Sequence, residues 1–144
     1  MRLRCAIIED LRPDAQALER ALLAASAHSC RLQCTLYASG NEFLRRGALS
    51  EQDVIFLDID IPGMSGMDIA HKIRETRPDV IIIFCTNLQQ FALNGYEVDA
   101  FGFIVKPIKE YSFDFFMDKA IKKLARMRRG GVAFTSRRWA AARW

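Results

Sequence analysis

Residues Val54–Ala70 read VIFLDIDIPGMSGMDIA: an apolar run that stops at Asp58, meets a second carboxylate at Asp60 and breaks at Pro62-Gly63. A continuous apolar run bounded by turn residues reads as a strand covered on both faces. Unpaired charge is costly inside such a layer, so these acids belong at the rim of a sheet, just outside its core. Pro62-Gly63 stiffens and reverses the loop, and Ser65-Gly66 leads into a helical pattern near Met67–Thr76.

The same strand-then-helix unit recurs on both sides. Leu3–Ile8 is a short apolar strand ending in Glu9-Asp10, and Pro13-Asp14 opens a helix with Ala15, Leu18, Leu22 and Ala25 on one face. Arg31–Ala38 alternates as a second strand, followed through Ser39-Gly40 by a short helix over Asn41–Arg46. Val80–Cys85 is wholly apolar and rich in β-branched residues, a strand opened by Pro78, with a helix predicted over Leu88–Asn94 that ends near Gly95. Ala100–Val105 is the fifth strand and ends at Lys106-Pro107. Phe113, Phe116, Met117, Ala120, Ile121 and Leu124 then mark the buried face of a long last helix.

Doubly covered strands separated by helices require a parallel sheet with helices on both faces. Five such units predict an α/β fold: a flavodoxin-like, doubly wound (βα)5 domain with a five-stranded parallel sheet of order 2-1-3-4-5. The domain is expected over residues 1–127, with 128–144 as a basic tail. In such a sheet, ligands sit outside the carboxyl ends of the strands, at the switch point between strands 1 and 3.

A chain of 144 residues is one domain's worth, and 51% hydrophobic with 26% charged residues fits an ordinary soluble globular protein. No apolar run approaches the ~18 residues needed to cross a membrane. The first apolar run meets acids too early for a secretory signal, which predicts a cytoplasmic protein without a membrane partner. The net charge of +4 is unevenly spread: from Ile121 onward there are eight basic residues and no acids, leaving 13 basic against 17 acidic residues before it. Cys5, Cys30, Cys34 and Cys85 lack zinc-like spacing and are expected as free thiols. His28 and His71 lack supporting context and read as surface or satisfied histidines.

The strand ends collect the chemistry. Glu9-Asp10, Asp58 with Asp60, Thr86 and Lys106 all fall on one edge of the predicted sheet. Carboxyl groups crowded together repel unless a cation sits among them, and a hard divalent ion with oxygen ligands, Mg2+, suits that set. A lysine and a hydroxyl opposite it suit the oxygens of a phosphoryl group. Asp58, at the strand tip, is placed to attack phosphorus and form an acyl phosphate.

With Glu9-Asp10, FLDIDIPGMSGMDI around Asp58, Thr86 and FGFIVKPI around Lys106, the chain resembles the receiver domains of two-component response regulators over residues 2–127. The resemblance implies that Asp58 accepts phosphoryl from the phosphohistidine of a sensor histidine kinase. It implies that Glu9, Asp10, Asp58 and the backbone carbonyl of Asp60 organise Mg2+. Lys106 would bond the phosphoryl oxygens, Thr86 would swing its hydroxyl onto them, and Phe103 would be the aromatic switch residue. A cis Lys106-Pro107 bond is also implied. The protein would assist its own phosphotransfer and dephosphorylation without being a turnover enzyme. Two positions depart from the common pattern: Asn87 stands where a small residue is usual, and Phe103 lacks a tyrosine hydroxyl.

FALNGYEVDAFGFIVKPI further resembles receivers that precede LytTR-type DNA-binding domains, with Ala92, Tyr96, Val98, Ala100 and Phe103 in comparable places. Phosphorylation would alter the surface of the fourth helix, fifth strand and last helix, which is expected to form a symmetric homodimer and to control transcription. DNA contact would need a C-terminal effector domain of about another 100 residues, which 144 residues do not accommodate. The tail RRGGVAFTSRRWAAARW is expected to be the start of a linker or partly an addition for expression. Two other readings compete. IFLDID also resembles the opening of haloacid-dehalogenase-like phosphatases, although Glu9-Asp10 then goes unexplained; the second is a degenerate receiver that binds proteins without phosphorylation.

Overall fold

The computed structural model describes residues 1–26 and 30–128. Five strands, β1 (Arg2–Ile8), β2 (Arg31–Tyr37), β3 (Val54–Leu57), β4 (Ile81–Thr86) and β5 (Gly102–Val105), form one parallel sheet of order β2-β1-β3-β4-β5. The helices are α1 (Arg12–Ser26), α2 (Gly40–Arg46), α3 (Gly66–Thr76) and α4 (Glu110–Arg128), with 3-10 turns at Leu49–Glu51 and Gln89–Val98. The predicted flavodoxin-like (βα)5 order is the observed one.

Period-2 alternation along each strand divides the interior into two layers. Leu3, Cys5, Ile7, Val54, Phe56, Ile81 and Ile83 face Leu18 and Leu22 of α1 and Phe113, Met117 and Leu124 of α4. The intervening Ala6, Ile8, Ile55, Leu57, Ile82 and Phe84 face Phe43 of α2 and Ile69 and Ile73 of α3. β3 and β4 are buried along their whole length, whereas β2, at the edge, alternates in exposure. That edge position explains why its sequence alternates while the central strands read as solid apolar runs.

Ser39 and Ser65 accept hydrogen bonds from the amides of Glu42 (3.1 Å) and Asp68 (3.2 Å), capping α2 and α3 where the sequence placed their starts. The last helix is tied down by Arg128, which donates to the Arg2 carbonyl at 2.7 Å and to Asp53 at 2.9 Å. The fourth helical segment differs from the helix expected over Leu88–Asn94. It is a run of 3-10 turns over Gln89–Val98 that ends at Asp99 in the left-handed region, φ 51°. Leu88 supplies no side-chain cap there, and Asn94-Gly95 in mid-segment disfavours regular α-helix. Arg74 of α3 holds its end by donating to the carbonyls of Val98 (2.6 Å) and Asp99 (3.1 Å).

The tail beyond Arg128 and His28 lie outside the described residues. Cys5, Cys30, Cys34 and Cys85 are free thiols. No helix among the described residues is long and apolar enough to cross a membrane.

Candidate functional site

Every strand that was read as delivering a polar group does so at the carboxyl edge of the sheet. Glu9 follows β1 directly, and its amide donates to the Tyr37 carbonyl at 2.9 Å. Asp58 follows β3 directly, and its amide donates to the Ile8 carbonyl at 3.1 Å, which continues the β1–β3 ladder by one residue. At the other side of the site the Lys106 amide donates to the Thr86 carbonyl at 2.9 Å. These ladder bonds fix four side chains from four strand ends around one point. The Lys106-Pro107 bond is cis, as the resemblance implied.

Lys106 is the hub. Its ammonium, with a side chain only 8% exposed, donates to Asp58 Oδ2 at 2.8 Å, to Asp14 Oδ2 at 2.8 Å and to Glu9 Oε1. Glu9 and Asp58 are buried, at 7% and 4% exposure. Asp58 Oδ1 accepts from the Asp60 amide at 3.0 Å, so the loop backbone turns inward at Asp60 while its side chain is exposed. Asp10 is also exposed. Asp58, Glu9, Lys106 and Thr86 are therefore brought together, whereas the side chains of Asp10 and Asp60 stand at the rim.

Burial works against Asp58's charge, but hydrogen bonds from Lys106, Thr86, the Asp60 amide and Glu9 outweigh it and hold Asp58 below its ordinary value. Glu9 moves the opposite way. Desolvation, with the neighbouring Asp58 charge, raises its carboxyl to about 7 despite help from Lys106 and the Leu11 amide. Of the two acids, Glu9 is the one whose charge burial disfavours and Asp58 the one whose charge the surrounding donors favour. Burial likewise opposes the Lys106 charge, and its bonds to Asp14, Asp58 and Glu9 more than offset this, keeping it protonated.

Thr86 is fully buried and its hydroxyl accepts from the Leu88 amide at 3.3 Å. Phe103 is partly buried on β5, its ring 5.9 Å from Phe84 at a 47° tilt. His71 is exposed and lies 3.2 Å from Glu97, linking α3 to the 3-10 segment away from the site. The side chain that sequence reading missed is Asp14. It reads only as part of the Pro13-Asp14 opening of a helix, and no pattern announces that α1 carries it onto Lys106.

Among the described residues, no three His, Cys, Asp or Glu side chains are grouped closely enough to hold a metal ion. The donor set still fits a hard cation: Glu9, Asp58 and the Asp60 loop present oxygen atoms at one strand-end edge, with Asp10 exposed beside them.

A parallel sheet that gathers buried carboxyls and a lysine at its carboxyl edge defines a doubly wound α/β domain with its candidate site at the strand ends. The response regulator receiver domain profile matches residues 6–113, and the chain belongs to that family. It is therefore the receiver of a response regulator in two-component signalling. Curated relatives include the positive alginate biosynthesis regulatory protein of Pseudomonas aeruginosa, 33% identical over 67% of this chain and 37% of the relative. Another is the sensory transduction protein LytT of Oceanobacillus iheyensis, 33% identical over 64% of this chain and 38% of the relative. These likenesses agree with the LytTR-type subclass, and the chain spans under two fifths of each relative. Among solved structures, the response regulatory domain of mrkE from Klebsiella pneumoniae is similar at TM-score 0.77 and 25% identity, over 86% of this chain and 99% of that one. Response regulator TrrA from Thermotoga maritima, solved in complex with Mg2+ and BeF, gives TM-score 0.63 and 26% identity, over 85% of this chain and 98% of that one.

Proposed function

We propose that Asp58 is the phosphoacceptor of this receiver and takes its phosphoryl group from the phosphohistidine of a sensor histidine kinase. A carboxylate oxygen of Asp58 bonds to phosphorus as the phosphorus–nitrogen bond breaks, and the electron pair leaves with the imidazole. The observation that carries this reading is the ionised Asp58 held 2.8 Å from the Lys106 ammonium. A nucleophile must be unprotonated to attack, and a fixed cation beside it meets the charge that develops on the phosphoryl oxygens.

Glu9, Asp10 and Asp58, with the backbone carbonyl of Asp60, are the residues that would hold Mg2+, which supplies charge neutralisation to the transferring phosphoryl group when bound. Thr86 donates its hydroxyl to a phosphoryl oxygen, and Phe103 repacks against Phe84 as that hydroxyl is re-used. The added charge of about −1.5 to −2 is read out at the Gln89–Val98 segment, β5 and α4. Leu93, Tyr96, Val105, Tyr111 and Phe115 are exposed on these elements and their borders, which supports a symmetric homodimer of the phosphorylated form. The output is transcription through a DNA-binding domain outside this chain, in the cytoplasm, with 1–127 as the receiver and 128–144 as a basic tail. The receiver assists its own phosphotransfer and dephosphorylation without turning over a substrate.

Intact mass after incubation with Mg2+ and acetyl phosphate tests the acceptor. One added phosphoryl group is expected, absent in Asp58→Asn and in EDTA. An unmodified wild type would sink the reading. Sedimentation of the phosphorylated protein tests the dimer, and a monomer at high micromolar concentration removes it.

A further inference from the structure

An ammonium group has three N–H donors, and Lys106 gives them to Glu9, Asp14 and Asp58. These partners meet different fates in the function proposed above. Asp58 becomes an acyl phosphate, and Glu9 is among the groups that hold Mg2+. Asp14 neither reacts nor holds the metal. Two donors of Lys106 are thereby turned toward the phosphoryl oxygens, and Asp14 is the partner that the reaction leaves as it was.

Asp14 is also well fixed. It lies in the first turn of α1, whose Ala15, Leu18 and Leu22 are buried in the core. The same turn is tied to the end of β1 by the Leu11 amide, which donates to Glu9 Oε2 at 3.2 Å. Lys106, by contrast, carries its charge on a flexible four-carbon stem, and a misplaced reacting group costs rate steeply. Two effects of Asp14 oppose one another. Its negative charge disfavours an incoming anion, but at 38% exposure that repulsion is screened. Its bond is made to an ammonium whose side chain is only 8% exposed, so the ordering effect is the larger.

We propose that Asp14 is a positioning residue for phosphoryl transfer: it keeps its bond to Lys106 throughout and holds the ammonium where the phosphoryl oxygens arrive. The inference rests on Asp58 being the acceptor and Glu9 a metal ligand. Asp14 touches neither phosphorus nor metal and acts only through Lys106.

Acetyl phosphate isolates this step, because it brings no protein surface to α1. The Asp58 oxygen–phosphorus bond forms as the phosphorus–oxygen bond to acetate breaks, and acetate leaves with the electron pair. Intact mass would follow the rate at varied acetyl phosphate and varied Mg2+ for wild type, Asp14→Asn, Asp14→Glu and Asp114→Asn. Asp114 is an exposed acid on the same groove between α1 and α4, without a bond to Lys106, so its variant controls for charge alone. Asp14→Asn should lower the limiting rate about fivefold, one charge-assisted hydrogen bond discounted for exposure. Half-saturation by acetyl phosphate and by Mg2+ should hardly move. Asp14→Glu should restore most of the rate, and Asp114→Asn should leave it unchanged.

A double-mutant cycle separates positioning through Lys106 from a structural role. Lys106→Met should itself be slow, and adding Asp14→Asn should slow it no further. The same fold loss in that background overturns the proposal, as does an Asp14→Asn rate at or above wild type. Tenfold weaker Mg2+ half-saturation in Asp14→Asn also overturns it, making Asp14 a metal ligand instead. If Lys106→Met is too slow to compare, the order of the Asp14→Asn and Asp14→Glu rates decides. Asp14→Ser replaces Asp14→Asn, with the same expectations, should the latter not fold. A wild type that takes no phosphoryl group removes the acceptor reading and this inference together, whereas a normal wild type with unaffected Asp14 variants removes only the latter.

Discussion

Lys106 Nζ lies 2.8 Å from Asp58 Oδ2, a contact between residues 48 positions apart, on strand ends β5 and β3 that do not neighbour one another in the sheet. β4 lies between them, and the long lysine side chain crosses its end above Thr86. This bridge gathers the buried charge of the site at a single cation, and several measurable consequences depend on it.

Removing that cation leaves Glu9 and Asp58 buried without their main partner. Lys106→Met is expected to destabilise the metal-free protein by about 3 kcal/mol at neutral pH, measured by urea unfolding in EDTA. The loss should shrink below pH 5, where the carboxyls take up protons. An unchanged midpoint would mean that Lys106 contributes no net stability.

Glu9 makes metal-free stability depend on pH. Its carboxyl is raised from 4.5 to about 7, chiefly by burial, so between these values the folded protein binds a proton that the unfolded chain has lost. Stability therefore falls as pH rises from 5 to 8, by on the order of 2 kcal/mol. Asp58, held below its ordinary value, has the opposite sign, with its contribution present above the unfolded value and lost as pH falls through the folded one. Urea unfolding across pH in EDTA should show the downward limb in wild type and its absence in Glu9→Gln.

Gly66 begins α3 directly beneath the Asp58 loop. A Cβ there would stand 2.1 Å from the Asp58 carbonyl oxygen and 2.6 Å from Ile59 Cα, both backbone atoms that cannot turn away. The Gly66 amide also donates to the Ile59 carbonyl at 2.9 Å. Gly66→Ala should cost about 2 kcal/mol or more and slow phosphorylation of Asp58. Wild-type values for both melting temperature and adduct formation would show that the loop can shift freely.

Thiol labelling checks the packing of the sheet independently of the site. Cys5 and Cys85 are buried, and desolvation raises both thiols far above their usual range. Cys34, on the edge strand, is pushed up to about 12 by partial burial and the nearby Glu19 charge. A thiol-disulfide reagent at pH 8 should modify Cys5 and Cys85 only at the rate of unfolding. Rapid modification of Cys85 would show that the layer beneath α4 opens.

Most of the architecture could be read along the chain. The central strands announced themselves because burial on both faces removes every polar residue until the strand ends, so Glu9, Asp58, Thr86 and Lys106 appear as abrupt polarity changes at predictable places. The starts of α2 and α3 were visible as Ser39 and Ser65. The segment after β4 was less legible: its apolar residues suggested a helix ending near Gly95, while Arg74 on α3 and the left-handed Asp99 set its 3-10 course and its end at Val98.

Sequence by itself determined the strands and helices, the strand ends at which the polar groups fall and the residue types gathered there, because periodicity and strand termination are local properties. The sheet order followed from the doubly wound fold that such units build. Tertiary structure alone decided how those groups divide their charge. That Glu9 is raised while Asp58 is lowered depends on burial and on which donors each carboxyl meets. That Asp14 takes the third donor of Lys106 depends on the angle at which α1 leaves β1. Distance and solvent exclusion set these outcomes, and neither is written in the spacing of residues along the chain.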